Sequence, residues 1–405
     1  MRHFAIILIM LTVKSFTFCQ RNLQKEVLNN SIFNIEWAAR IDLDNSVICA
    51  DNVQLYIDQY VQGGDKDSPP SVLSFDTATG ENIWNFVHQG NVKGAIDFTL
   101  LEGNILYAMC KDGVIAIDLE DKNLLWELDF KIKGFFRRSR LTLHNDKLYC
   151  SASWAFRTDS KVEHLLQIDT KTGEFRSIYA QKNKGNNTYN FSPPSFFVNQ
   201  FSGNTLILFN EYPDAQLPFD EGSQNLMCLN LDTFEEVWKV EDFSENHPTN
   251  KFHSPILFEN TIITGADKSL YCFNVYDGTF NWKTSFDYSY GIWSKTNHLL
   301  HKDRLIVNNS QSSVTCLDPR NGTIIWNNEK GGANCTDNML INNDKLIFTS
   351  WGFGSVMVLD FYTGETIHQE HRFDNSQFTT DIVYDNKNDL YITSTYKHVV
   401  AFRLE

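Results

Sequence analysis

The residues best suited to chemistry in this 405-residue chain are scattered rather than clustered. "HQEH" at 368–371 places two histidines and a glutamate close together. On a strand, where side chains alternate, His368 and His371 face opposite sides and make a poor metal pair. Eight cysteines occur, and no two are adjacent or spaced C-x-x-C. There is no phosphate-cradling Walker loop, no HExxH zinc motif and no GxSxG nucleophile elbow. The sequence therefore offers no catalytic, cofactor-binding or metal-binding set. What it does offer is a group of charged and aromatic residues at the starts of several strand-like runs: Arg137, Arg138, Arg140, His253, Trp293 and Lys295, with Asp97, Asp337 and Asp381. Arginine beside tryptophan favours a binding surface over a reaction centre.

The elements that must position these residues emerge from an internal repeat. Segments such as "LSFDTATGENIWNF" at 73, "YCFNVYDGTFNWKT" at 271 and "TCLDPRNGTIIWNN" at 315 align on an acidic or amide residue, here termed the anchor. The anchors are Asp76, Asp118, Asp169, Asn230, Asn274, Asp318, Asp360 and, in a truncated last unit, Arg403, at spacings of 42, 51, 61, 44, 44, 42 and 43. Four residues after the anchor the column reads Gly80, Lys122, Gly173, Phe234, Gly278, Gly322 and Gly364. Eight after, it reads Trp84, Trp126, Ser177, Trp238, Trp282, Trp326 and His368. The anchor side chain can accept from nearby backbone amides, and glycine takes the positive φ that a tight reversal requires. Each unit then reads as strand, turn, strand, preceded by two further strand-like runs.

Four strands in about 44 residues, repeated eight times, predict an all-β, eight-bladed β-propeller over residues 31–405. The last unit stops at Glu405, before its fourth strand. "SIFNIEWAARI" at 31–41 resembles the missing piece, with Trp37 in the tryptophan column. The final blade is thus expected to be closed by the N-terminal strand, which removes exposed sheet edges. The tryptophan column recurs around the ring, where no single ligand could reach it, so it predicts packing between blades. Cys228, Cys272 and Cys316 lie two before their anchors, where other units carry Ser74, Ala116, Gln167, Val358 and Ala401. They read as small buried residues on separate blades.

The repeat resembles the PQQ-like (quinoprotein-type) propeller family, on its apolar strand, Asp, Thr-Gly turn and Trp. Within that family the chain looks most like the non-catalytic, outer-membrane barrel-assembly branch, which implies a protein-interaction scaffold binding extended or β-rich clients or a membrane-bound partner. The quinone-dependent alcohol dehydrogenases of the same family imply an alternative, an oxidoreductase. Those enzymes are longer, and many carry an adjacent cysteine pair and a calcium site with a catalytic aspartate. This sequence has no adjacent cysteines and no long insertions to cover such a site.

At the N-terminus, Arg2 and His3 precede the apolar run "FAIILIMLTV" and then "KSFTFCQ". This reads as a signal peptide over 1–19, followed by an N-terminal lead at 20–30. The cut is expected near Cys19 and Gln20; a lipid-anchored Cys19 would need small residues before it, which "SFTFC" lacks. Export predicts a periplasmic or secreted, outer-membrane-associated protein. Removing Arg2 and Lys14 takes the net charge from −15 to −17. Such a surface repels nucleic acid and anionic lipid, so membrane contact is expected only through a partner or a Cys19 lipid. Three longer hairpins, at 60–71, 153–163 and 211–224, explain the irregular spacings and are natural recognition loops. The binding residues expected at the central channel mouth are Arg138, Arg140, His253, Trp293, Lys295, Asp337 and Asp381. A protein partner is the first reading for the chain, with the acidic, proline-containing 211–224 hairpin suited to the contact. An anionic small molecule or glycan bound at the Arg/Trp mouth is an alternative.

Overall fold

The computed structural model describes residues 33–404 except 42–47, 51–53, 59–68, 132–134, 138–139, 155–161, 183–188, 214–223, 245–253, 267–268, 287–297, 309–311, 333–334, 351–354, 371–377, 379 and 396. The expected signal peptide, Cys19, His371 and the tips of the three long hairpins lie outside the described residues. The fold is an all-β propeller. Among the described residues the strands form eight antiparallel sheets, here sheets I to VIII in order of their anchors. Each is a meander of four strands. In sheets III and IV the inner strand is broken into two pieces, Phe135–Arg137 with Thr142–His144, and Tyr189–Phe191 with Ser195–Val198.

Sheet V shows why the repeat folds this way. Its strands are Ile256–Phe258, Thr261–Ala266, Ser269–Asn274 and Phe280–Ser285. The third strand, SLYCFN, is buried on both faces until its anchor, because a neighbouring sheet covers each side. The first two strands are joined by a two-residue turn, Glu259–Asn260, with Glu259 at φ 52°. The last two are joined through the anchor. Asn274 Oδ1 accepts from the Tyr276 amide at 2.8 Å, and the Gly278 amide returns to the Asn274 carbonyl at 3.0 Å with Gly278 at φ 72°. Asp76, Asp118, Asp169, Asn230, Asp318 and Asp360 each accept in the same way from the amide two residues on.

Eight hydrophobic clusters lie between consecutive sheets, and one of them joins sheet VIII back to sheet I. Tryptophan is the recurring wedge. Trp282 of sheet V donates from Nε1 to the Pro319 carbonyl of sheet VI at 3.1 Å, and its ring lies over Gly322. Trp37, Trp126, Trp238 and Trp326 donate likewise to Thr77, Thr170, Val275 and Phe361, the residues after the next sheet's anchor. The N-terminal strand closes the ring. Asn34–Arg40 pairs antiparallel with His398–Arg403, and Trp37 sits opposite Ala401. The Glu36–Arg403 ion pair and the Asn388-to-Thr77 hydrogen bond at 3.4 Å add polar ties across this closure.

The cysteine expectation holds with a physical reason attached. Cys228, Cys272 and Cys316 stand opposite Trp238, Trp282 and Trp326 in the cross-strand register. A small residue leaves room for the indole. All three are fully buried, and burial pushes the thiols up, to about 12 for Cys228 and about 11 for Cys316.

Sheet III corrects the column. In other sheets the outer strand carries a one-residue β-bulge just before the tryptophan. In sheet III the bulge falls between Ser177 and Tyr179. Gln167, two before the anchor, therefore faces Arg176 and not Ser177. Arg176 is the structural occupant of the tryptophan place. Its Nε donates to Gln167 Oε1 at 2.8 Å, and its guanidinium lies 4.7 Å from the ring centre of Phe234. Phe234, at φ 59°, stands where five other sheets have glycine and sheet II has Lys122. An arginine on a phenylalanine thus replaces a tryptophan on a glycine. His368 occupies the column in sheet VII, opposite Val358 and edge-on to Phe33 at 6.5 Å, as a half-buried packing residue.

Candidate functional site

Of the seven residues expected at the channel mouth, Arg140 and Asp381 lie among the described residues with their side chains. Asp337 lies in the strand Cys335–Asn342, and Arg138, His253, Trp293 and Lys295 are outside the described residues. Arg140 does not stand free at the rim. Its guanidinium is 5.2 Å from the ring centre of Phe98 on the preceding sheet, a cation–π contact. Asp381 belongs to a segment locked by hydroxyls. Thr393 Oγ1 donates to the Asp381 carbonyl at 3.2 Å, and Thr349 of sheet VII donates to the Thr380 carbonyl at 2.9 Å. Thr380 Oγ1 accepts from the Ser394 amide at 2.9 Å. Elsewhere on the ring, Ser151 of sheet III donates to the Phe191 carbonyl at 3.2 Å, and Asn210 of sheet IV to Thr264 of sheet V at 2.7 Å. These short polar side chains sit near the ends of the second strands and tie adjacent sheets together. On the inner strand of sheet VI, burial pushes the His298 imidazole down to about 4, against a bond to the Ser254 backbone.

The seam between sheets III and IV carries a buried polar network. Glu211 is wholly buried there. Tyr179 Oη donates to Glu211 Oε1 at 2.9 Å, Asn225 Nδ2 to Oε2 at 2.9 Å, and Lys239 Nζ lies 3.6 Å from Oε2. Burial, reinforced by the Glu211 charge, pushes the Tyr179 phenol far up. Burial pulls the Lys239 ammonium down, but Glu211 and Glu241 outweigh it and the net direction is up. Glu163, also buried, accepts from Ser153 on the same face. Glu211 and Glu163 stand at the roots of two of the three long hairpins, so this network fixes where those hairpins leave the ring. No composition signal pointed to it, since single Glu and Tyr residues in strands are ordinary.

The opposite face of the ring carries the two-residue hairpins and the anchor turns. Two described hairpins are longer: sheet VIII joins Asp385 to Leu390 through four residues, and sheet IV carries the longer loop of the two. Between Val198 and Thr205 in sheet IV the chain makes a six-residue loop. It repeats the anchor turn: the Phe201 and Ser202 amides donate to Asn199 Oδ1 at 2.9 and 3.2 Å, and the Gly203 amide returns to the Asn199 carbonyl at 2.7 Å. Phe201 at its tip is 86% exposed. The signal was present in the sequence as an anchor-to-glycine spacing, Asn199 to Gly203, outside the repeat register.

Residues 66–284, just over half of the chain, match the family described as outer membrane protein assembly factor BamB. The chain belongs to this family. No match was found among the curated proteins. Among solved structures, the crystal structure of BamB from Moraxella catarrhalis is similar at a TM-score of 0.58 and 13% identity, covering 92% of this chain and 100% of that one. The computationally designed Ika8 protein is similar at 0.62 and 12% identity, covering 93% and 100%. Quinohemoprotein alcohol dehydrogenase ADHIIG from Pseudomonas putida HK5 is similar at 0.62 and 11% identity, covering 92% and 76%. At these identities the likeness is one of fold.

Proposed function

We propose that this chain is an exported, non-enzymatic propeller of eight blades that acts as a protein-interaction scaffold at the cell envelope. The observation that carries this reading is membership of a family described by outer-membrane protein assembly. The eight sheets and eight apolar seams support the blade count, with the N-terminal strand closing the last blade. Residues 1–19 act as the signal peptide, 20–30 as a lead and 31–405 as one domain, in a periplasmic or outer-membrane-associated setting. The channel mouth, with Arg138, Arg140, His253, Trp293, Lys295, Asp337 and Asp381, and the neighbouring long hairpins form the contact region.

A quinone-dependent oxidoreductase is the second reading, favoured by the fold likeness to a quinohemoprotein dehydrogenase. The residues described fit it poorly. The buried cysteines Cys110, Cys150, Cys228, Cys272 and Cys316 stand on separate sheets, and among the described residues no three His, Cys, Asp or Glu side chains converge. No reaction step is derived through a quinone.

The test is cross-linking in intact envelopes with tagged protein, followed by pull-down. The control replaces 214–223 by a short linker and keeps Glu211 and Gln224 in place. A discrete partner lost in the control, or on charge reversal of Arg138 and Arg140, is the expected outcome. A folded bait that captures nothing, yet whose tryptophan fluorescence is quenched by a quinone, would replace the scaffold reading with the second one.

A further inference from the structure

The hairpin that carries Phe201 is built to hold an apolar group in water. Five other hairpins at this position use two polar residues or glycine: Gly103–Asn104, Asn145–Asp146, Glu259–Asn260, Lys302–Asp303 and Asn343–Asp344. Sheet IV spends six residues instead, and stiffens them. Asn199 accepts from two amides, Gly203 adopts φ 75°, and the Asn204 amide donates to Ser202 Oγ at 3.3 Å. The ring of Phe201 rests edge-on against Tyr276 of sheet V at 5.1 Å, and Tyr276 is braced by Phe197 at 5.5 Å and by Asn260 at 3.1 Å. Val198 beside it is 56% exposed. A flexible loop would turn its phenylalanine inward. This one is pre-organised outward, which lowers the ordering cost of binding.

The rim selects the partner. The loop 198–204 carries no charge, and the flanking turns 231–235 and 275–280 carry Asp232, Glu235 and Asp277 with no Lys or Arg. The backbone bond from Leu231 to the Thr205 carbonyl at 2.8 Å brings the first of these turns against the loop. Asp232, Glu235 and Asp277 are exposed. We infer that the Phe201–Tyr276 patch docks a protein segment that presents apolar side chains flanked by lysine or arginine. The inference rests on the scaffold reading and gives it a second surface, remote from the channel mouth. Arg176 reaches the first turn from sheet III but lies over the Phe234 ring; an apolar anchor beside three exposed carboxylates favours a basic amphipathic segment over an acidic one.

The test uses the full chain and its Phe201→Ser variant against immobilised 12-residue peptides of Leu, Val and Lys. Matched peptides with Glu in place of Lys and a neutral hexasaccharide serve as competitors for the assignment, and sedimentation reports self-association. The expected result is binding of the Lys peptides only. Phe201→Ser weakens it by about tenfold or more, and Asp232→Asn with Asp277→Asn flattens its salt dependence. The thermal midpoint of Phe201→Ser stays near that of the parent, since the ring is exposed. Lys peptides bound equally by both proteins would overturn this surface while leaving the scaffold reading to the cross-linking result. Absence of any peptide binding, preference for the Glu peptides or the hexasaccharide, or a dimer abolished by Phe201→Ser would also overturn it.

Discussion

Replacing Gly322 with alanine tests the idea that an indole on a bare glycine holds adjacent sheets together. Gly322 has φ 71°, and a Cβ built there would lie 2.5 Å from Trp282 Cε3 and 2.9 Å from Cδ2, and would also strike Thr284 Oγ1. Two costs add. The left-handed backbone costs an L-residue about 1–2 kcal/mol. Forcing a methyl into the indole costs about 1–3 kcal/mol. Together they predict a loss of about 2–5 kcal/mol for Gly322→Ala. Gly203 provides the internal control. It occupies the same five-residue turn at φ 75°, but nothing lies within 4 Å of its built Cβ. Gly203→Ala should lose only the backbone part, about 1–2 kcal/mol. Urea unfolding of both variants and the parent, followed by tryptophan fluorescence, measures the difference. Equal losses in the two variants would refute the stacking argument and leave backbone conformation as the whole reason for the glycine column.

Two further predictions follow from sheet III and its seam with sheet IV. A double-mutant cycle on Arg176→Ala and Phe234→Ala should show a favourable coupling of about 0.5–1 kcal/mol, measured by urea unfolding; additive effects would mean that the guanidinium merely lies beside the ring. Tyr179 and Lys239 both keep their protons to higher pH in the folded protein than when exposed. Their contribution is therefore complete below about pH 10 and lost as pH rises beyond it. The thermal midpoint should fall as pH rises above about 10, less steeply in Tyr179→Phe than in the parent. An identical slope in both would place the alkaline sensitivity elsewhere.

Much of the architecture was legible because it is local and repeated. An anchor that accepts from the amide two residues on, a glycine at positive φ and a tryptophan eight residues on are encoded within one short segment, and Asn274, Gly278 and Trp282 behave as that spacing predicts. The small residue opposite each tryptophan is legible for the same reason: it is one strand away. The N-terminal strand was readable as the missing piece of the final unit because Trp37 carries the repeat's own signature.

What the sequence by itself determined, then, is the repeat: which segments pair as hairpins, which positions turn, and which are buried. Tertiary structure decided the rest, because the remaining choices depend on what the neighbouring sheet presents. Counting eight residues from Asp169 lands on Ser177, but the displaced bulge delivers Arg176 to the seam, where Phe234 of the next sheet receives it. The pairing register of a strand is set by both partners, and no count along one chain segment contains it. Arg140 reads as a rim charge until Phe98 is found beneath it. Glu211 reads as surface acid until Tyr179, Asn225 and Lys239 converge on it. The Asn199-to-Gly203 spacing marks a turn around Phe201 but does not say where the ring points. Only the stiffened loop, braced from the adjacent sheet by Tyr276, turns it out into water.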